Sequence, residues 1–119
     1  LVVKIDKSHL TRVVNNLINN SLQAYKKGVP IEVRLNMFLE SKKSTDYCVV
    51  TVSDNGRGVP KEIQNKIFEP NFTTKNSGMG LGLAMVKKIV DDMGGIINYK
   101  TELGTGTTFF VYFPIKQVN

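Results

Sequence analysis

Several features that define whole classes of protein are scarce in this chain. Its single cysteine, Cys48, cannot form a disulfide within the chain, which favours a reducing compartment. No apolar run approaches the ~20 residues that span a bilayer, and the apolar start, residues 1–5, is too short for a signal peptide. We therefore expect a cytoplasmic location without direct membrane contact. The start at Leu1, without a methionine, predicts a fragment of a longer protein, and any membrane anchor would belong to the remainder.

A concentrated block of positive charge is also absent. The net charge is +6, from 16 lysines and arginines against 10 acidic residues. The lysines are dispersed and do not alternate with aromatic residues, so a nucleic-acid partner is disfavoured. The length of 119 residues and the apolar content of 41% fit one globular domain, residues 1–119.

The spacing of apolar residues predicts both helices and strands. The predicted helices cover about 7–27, a short stretch after Pro60 and about 81–93, and the predicted strands cover 2–5, 31–39, 47–54, 96–100 and 106–114, with a hairpin loop over 40–46. Ser8 is the expected N-cap of the first helix, and Gly28 with Pro30 is its expected stop. We predict an α+β fold, a two-layer sandwich in which helices cover one face of a mixed, mostly antiparallel sheet.

Asparagines are concentrated on the first predicted helix, although this residue type disfavours helices. Asn16 and Asn20 are one turn apart and share a face, and an amide oxygen is a suitable ligand for a Mg²⁺ ion that is shared with phosphates. A local penalty without a local benefit often marks a functional site. From this helix alone, a merely solvated polar face is the more frequent explanation.

A carboxylate ends an apolar row on the second long strand. Side chains alternate along a strand, so Asp54 faces the same way as Cys48 and Val52, toward the core. A buried carboxylate needs hydrogen-bond donors, and an adenine amino group is one, whereas guanine presents an oxygen at that place. Thr107 begins the core-facing row of the last strand, where its hydroxyl could bridge Asp54, a water and the base. The alternatives are an ordinary Asp-Asn-Gly turn and a threonine that simply suits a strand.

Glycines follow Asp54 and also precede the last long helix. Gly56 and Gly58 let the backbone turn sharply and approach a flat ligand closely. The run 78–82 leads directly into the predicted helix, whose free N–H groups would bind phosphate. Lys75 in the preceding loop could meet the terminal phosphate. Neither a P-loop nor a dinucleotide fingerprint is present, and a flexible hinge is the alternative.

In this order, these pieces resemble the histidine kinase catalytic domain of the gyrase, Hsp90, histidine kinase and MutL superfamily. The resemblance covers about residues 2–114 and implies the Bergerat fold. The matching segments are the N box (16–20), the G1 box (54–58), the F box (68–72), the G2 box (78–83) and the closing glycine–threonine element (104–109). Each box alone is weak, but five in the right order and spacing are specific. The stretch 72–75 with its short lid resembles the nitrogen-regulation type of sensor kinase.

The resemblance implies a role for each matching position. Asn20 would bind Mg²⁺, and Asn16 would lie beside the phosphates. Asp54 would bind the adenine amino group, framed by Gly56, Gly58 and Thr107. Residues 70–80 would form the ATP lid, and the implied contacts in and after it are Phe72, Lys75, Gly78, Gly80, Leu81 and Gly82. The implied catalytic residues are Asn16, Asn20 and Lys75. The chain departs from the family pattern at Ser21, where alanine is usual, and at Gln23 and Met79.

The implied activity is transfer of the γ-phosphoryl group of Mg-ATP to a histidine in two-component signal transduction. The histidine would lie on a separate helical phosphoacceptor domain of the same homodimeric kinase, and a response regulator receiver domain would be a further partner. His9 lacks the neighbours of a phosphoacceptor and is expected at the surface, so this chain alone should not complete autophosphorylation. The alternatives are a related ATPase switch, an anti-sigma-type serine kinase and a degenerate nucleotide-binding module. ATPases of the superfamily have a glutamate where this chain has Asn16.

Overall fold

A four-stranded sheet with helices on one face forms the domain in a computed structural model, which describes residues 5–70 and 82–115. The elements are α1 (Lys7–Gln23), β1 (Val33–Lys42), β2 (Thr45–Asp54), a 3₁₀ helix (Lys61–Lys66), α2 (Gly82–Asp92), β3 (Ile96–Glu102) and β4 (Gly106–Pro114). The strand order is β1-β2-β4-β3, and all three pairings are antiparallel. The predicted α+β sandwich is confirmed. Of the strand predicted over 2–5, residues 2–4 lie outside the described part of the chain.

The core lies between this sheet and both helices. Its buried members are Val13 and Leu17 of α1, Val86, Ile89 and Val90 of α2, Ile67, and the inward rows Cys48, Val50, Val52 of β2 and Phe109, Val111, Phe113 of β4. The predicted alternation of β2 and β4 is therefore confirmed. Asp54 ends one inward row and Thr107 begins the other, and the register pairs these two residues directly. The fold thus brings the carboxylate and the hydroxyl to the same edge of the core.

Strand β2 is buried on both faces because it lies between β1 and β4. Val49 points away from the helices and yet is fully buried, since the register places it between Phe38 and Tyr112. On the helix-facing side, burial raises the pKa of the Cys48 thiol, as expected for an inert core cysteine. No helix within the described ranges has the length and apolar character needed to cross a membrane.

The predicted start of α1 near residue 7 is confirmed, but its predicted N-cap and its predicted end are wrong. Asp6, and not Ser8, is the N-cap, because its carboxylate accepts hydrogen bonds from the backbone N–H groups of Ser8 (2.9 Å) and His9 (3.2 Å). The Ser8 hydroxyl also donates to this carboxylate, at 2.7 Å. That bond, followed by the bond from the His9 N–H, lowers the pKa of Asp6. The helix stops at Gln23, well before Gly28, where the N–H of Ala24 bonds to the carbonyl of Ser21 (3.1 Å) and the carbonyl of Ala24 accepts the N–H of Arg57 (2.7 Å). A distant segment therefore occupies the carbonyl that a continuing helix would use.

The β1–β2 hairpin is longer than the sequence predicts. Instead of a loop over 40–46, the strands continue to a two-residue turn at Lys43 and Ser44, where φ is 47° and 68°. Two successive positive φ values are typical of the tight type I′ hairpin turn. The polar composition of this stretch was misleading because the end of β1 is an exposed edge and needs no apolar residues.

Helix α2 begins at Gly82, close to the predicted start near residue 81, and one side of it is buried. Val86, Ile89 and Val90 are buried, whereas Met85 and Met93 are only partly covered at the margin of the core. Lys87 and Lys88 pair with Asp91 and Asp92 one turn later on the outer side.

Candidate functional site

The Asp54 carboxylate has one satisfied oxygen and one oxygen without a partner. Oδ1 accepts hydrogen bonds from the N–H of Gly56 (2.8 Å) and from the N–H of Thr107 (3.3 Å). Oδ2 is buried and has no hydrogen-bond partner among the described residues. Because an unpaired buried acceptor costs free energy, this oxygen is arranged to receive a donor from outside the chain. An amino group is a donor of the required kind.

Thr107 lies beside that carboxylate and is almost completely buried, with 5% of its surface exposed. Its hydroxyl lies 2.9 Å from the hydroxyl of Thr101 on β3. The Thr101 hydroxyl in turn accepts the N–H of Val59, also at 2.9 Å. The sequence predicts a role for Thr107 but gives none to Thr101. The signal that could have found Thr101 is its position in the β3–β4 hairpin, where it lies directly opposite Thr107.

Gly56 and Gly58 bring backbone segments of this chain together. A Cβ atom on Gly56 would overlap the carbonyl of Ala24, and one on Gly58, where φ is +74°, would overlap the carbonyl of Glu102. We expected these glycines to allow the approach of a flat ligand. The atoms nearest to their missing side chains belong to the end of α1 and the end of β3, and the approach of a flat ligand stays a prediction. The glycines therefore fix the walls of the site by close backbone packing.

Hydrogen bonds hold the same three segments together. Arg57 donates its N–H to the carbonyl of Ala24 and accepts the N–H of Gly104, each at 2.7 Å. Its guanidinium also donates to the carbonyl of Gln23 at 3.2 Å. Lys26 donates to the carbonyl of Gly104 at 3.0 Å. The segment that follows Asp54 is thus clamped between the end of α1 and the β3–β4 turn.

The asparagines of α1 divide as their spacing predicts. Asn16 and Asn20 are half-buried, whereas Asn15 and Asn19 are exposed. Asn16 and Asn20 continue the row that starts at Arg12, whose guanidinium reaches the Met85 sulfur of α2 at 3.1 Å. Both amides therefore lie on the row of α1 that begins at this contact with α2. An amide oxygen there fits a Mg²⁺ ion that takes its other ligands from phosphate and water. The described residues contain no cluster of three or more acidic, histidine or cysteine ligands that would hold a metal without a substrate.

The remaining residues that the sequence predicts to contact ATP belong to the segment before α2 and to its first residue. Of these, only Gly82 lies within the described residues, as the first residue of α2. Outside them lie Phe72, Lys75, Gly78, Gly80 and Leu81, so their contacts stay predictions. His9, expected at the surface, is half-buried, and its Nδ1 is buried without a partner in the described part of the chain.

Ser21 follows the N box where the resemblance leads one to expect alanine. The residue is fully buried, as the third member of the α1 stripe formed with Val13 and Leu17. Its hydroxyl has no hydrogen-bond partner among the described residues. The helix therefore carries a buried polar atom one turn before its contact with Gly56.

Comparison with known proteins gives one consistent result. Residues 5–117 match the family described as histidine kinase-, DNA gyrase B-, and HSP90-like ATPase. The sensor histidine kinase ZraS of Salmonella typhimurium is 38% identical over 114 residues, which cover 95% of this chain and 23% of ZraS. The catalytic domain of histidine kinase ThkA has a TM-score of 0.70 and 31% identity, covering 94% of this chain and 70% of that one.

A third likeness concerns the fold alone. Full-length ShkA in complex with AMPPNP has a TM-score of 0.76 at 24% identity, covering 98% of this chain and 23% of ShkA. This chain spans a quarter or less of the length of the curated relatives that it matches, for example 23% of ZraS and 25% of the sporulation kinase C of Bacillus subtilis.

Proposed function

Because this chain belongs to the histidine kinase-, DNA gyrase B-, and HSP90-like ATPase family, as the ATP-binding catalytic domain of a sensor histidine kinase, we propose how its residues bind Mg-ATP and use it. Asp54 binds the adenine amino group. Thr107 frames the base, and Asn20 holds Mg²⁺ against the phosphates. The γ-phosphoryl group then passes to a histidine on a separate helical domain.

The observation that carries the proposal is the unpartnered oxygen of Asp54. Its neighbour Oδ1 is held by two backbone N–H groups, so the carboxylate is fixed in direction and Oδ2 is presented to the ligand. The adenine amino group donates a hydrogen bond to such an oxygen, whereas the carbonyl oxygen of guanine would repel it. The site therefore selects adenine by the polarity of one exocyclic group.

The phosphate end depends on Asn16, Asn20 and the start of α2. Mg²⁺, when bound, neutralises phosphate charge, and the Asn20 amide oxygen is the ligand that this chain offers. Gly82 begins α2, and the N–H groups of its first turn have no carbonyl partner within the helix, so they would face phosphate oxygens. We infer that Lys75 adds a positive charge there. Catalysis on this basis is positioning and charge neutralisation, without a protein base.

The phosphoryl acceptor is a histidine of another domain. Asn16 has an amide where the ATPases of the superfamily have a carboxylate base, so water is not activated from that position. His9 lies in the first turn of α1, and its Nδ1 is buried, so it is poorly placed as an acceptor. We infer that the partners are the helical phosphoacceptor domain of the same dimeric kinase and a response regulator receiver domain. We place this activity in the cytoplasm.

Replacement of Asp54 by asparagine tests the base contact directly. The amide oxygen can keep both bonds of Oδ1, which places the amide N–H₂ against the adenine amino group. We expect the affinity for AMPPNP, measured by isothermal titration calorimetry, to fall about 30-fold, or about 2 kcal/mol. Ser53→Ala is the matched control, because Ser53 pairs with Thr108 on the opposite face of the same strands and should leave the affinity unchanged. Equal affinities of Asp54→Asn and the parent would refute the proposal.

Replacement of Asn20 by alanine tests the metal contact. The ratio of AMPPNP affinities with Mg²⁺ and with EDTA should fall about tenfold, which corresponds to about 1.4 kcal/mol. Asn19→Ala changes the exposed neighbour on the same helix and should retain the parent ratio. An unchanged ratio in Asn20→Ala would remove this residue from the metal site and leave the Asp54 result intact.

A further inference from the structure

One row of polar residues crosses three strands at the edge of the core. The β2–β4 register pairs Asp54 with Thr107, and the β3–β4 register pairs Thr107 with Thr101. Thr101 is half-buried, and its hydroxyl is directed at the buried hydroxyl of Thr107. The row therefore extends one strand beyond the two residues proposed to read the base.

The hydroxyl of Thr101 makes three hydrogen-bond contacts with a single proton. It accepts the N–H of Val59 at 2.9 Å, and it lies 2.9 Å from the Thr107 hydroxyl and 3.3 Å from the carbonyl of Gly106. If Thr101 donates to Thr107, the proton of Thr107 is free to point at a ligand. If Thr101 donates to Gly106, Thr107 donates back to Thr101 and presents only its lone pairs. In both arrangements, Thr101 decides what Thr107 presents.

We propose that Thr101 is a positioning residue for adenine recognition, which acts by fixing the hydroxyl direction of Thr107. This inference rests on the proposed function, because Thr107 must contact the base or a water on it. Val59 follows directly after the G1 box, so the same hydroxyl also ties that segment to β3. Thr101 does not touch the nucleotide in this proposal and takes no part in the chemistry.

A merely structural role for Thr101 makes a different prediction. Loss of the Val59 contact would then lower thermal stability and weaken all nucleotides equally. A positioning role changes the preference between bases that differ only in the groups facing Asp54 and Thr107. Adenine and hypoxanthine are such a pair. Hypoxanthine has an oxygen in place of the amino group, and its neighbouring ring nitrogen N1 carries a hydrogen.

The test compares ATP and ITP affinities, both with Mg²⁺, together with melting temperatures. Thr101→Val removes the hydroxyl at nearly constant volume, and the ATP preference over ITP should fall about fivefold. Thr101→Ser restores the hydroxyl and should restore the preference. Thr108→Val, the matched control, breaks a hydroxyl pair with Ser53 on the other face of β4 and should keep the parent preference. The double variant Thr101→Val with Thr107→Val should lose no more preference than Thr107→Val alone.

Two results would overturn the inference: a lower melting temperature in Thr101→Val with an unchanged preference, or fully additive losses in the double variant. If Thr101→Val does not fold, loss of preference in the folded Thr101→Ser variant would also overturn it, because that variant retains the hydroxyl. The parent and Asp54→Asn are measured in parallel. Binding that does not depend on Asp54 would overturn the proposed function and the inference with it, whereas Asp54-dependent binding that ignores Thr101 would overturn the inference alone.

Discussion

The two ends of strand β2 are built on different principles. At its last residue, Asp54, backbone segments from α1, β3 and β4 approach so closely that no side chain fits between them. At its first residue, Thr45, a two-residue hairpin turn joins β2 to β1. The first arrangement fixes the position of each atom, and the second only has to reverse the chain.

The two ends of β2 also differ in where they use glycine. A Cβ on Gly106 would overlap the carbonyl of Asp54, just as those on Gly56 and Gly58 would overlap backbone atoms of other segments. The hairpin turn instead uses Lys43 and Ser44 at positive φ, a conformation that normally favours glycine. The chain thus accepts unfavourable residues at the remote end and uses glycine where segments converge. Precision near Asp54 depends on the absence of side chains.

The exposed edge beside the hairpin supports the same contrast. Leu35, Met37 and Leu39 of β1 lie on the helix-facing side and yet are each about half exposed, at 49%, 59% and 48%. The two inward rows next to them in the sheet are fully buried. Packing is therefore tight under the centre of the sheet and loose at the β1 edge.

Gly106→Ala should give the largest loss of stability. A small loss would contradict the contrast between the two ends of β2. The new methyl group would clash with the Asp54 carbonyl at a φ of 144°, so we expect the free energy of unfolding to fall by about 3 kcal/mol or more. Gly104→Ala, in the same turn, meets open space at a φ of +82° and should cost only about 1 kcal/mol. Urea denaturation measures both. Equal losses would show that backbone conformation, and not close approach, governs this end.

Ser21→Ala should have an intermediate effect of the opposite sign. The substitution removes a buried hydroxyl that has no partner among the described residues, so the free energy of unfolding should rise by about 1 kcal/mol. Ser53→Ala provides the contrast, because it removes a hydroxyl paired with Thr108 and should destabilise the domain. Destabilisation by Ser21→Ala would mean that this hydroxyl has a structural partner.

Ser44→Gly should give the smallest effect. Glycine relieves the positive φ of 68° but adds flexibility to the unfolded chain, so we expect a net gain of about 0.5 kcal/mol. Thr45→Gly, one residue later in extended β2, should instead lose about 1 kcal/mol. AMPPNP affinity should be unchanged in Ser44→Gly. A changed affinity would couple the two ends of β2 and contradict their independence.

The candidate site was predictable from the sequence to the extent that it depends on periodicity. Alternation along β2 placed Asp54 on the core side, and helical spacing separated Asn16 and Asn20 from their exposed neighbours Asn15 and Asn19. The end of α1 was not predictable in this way. It depends on the carbonyl of Ala24, which bonds to Arg57 from a segment more than 30 residues away.

The sequence by itself determined which side chains share a face, because the repeat of a helix or strand is a local property of the backbone. It thereby determined that the Asp54 carboxylate ends an apolar row and that the amides of Asn16 and Asn20 lie on the same face of a helix. Only the tertiary structure decided that Asp54 pairs with Thr107 and that Gly56, Gly58 and Gly106 face the backbone of other segments. Such contacts join residues far apart in the chain, and local repeats contain no information about which distant strands and turns will meet.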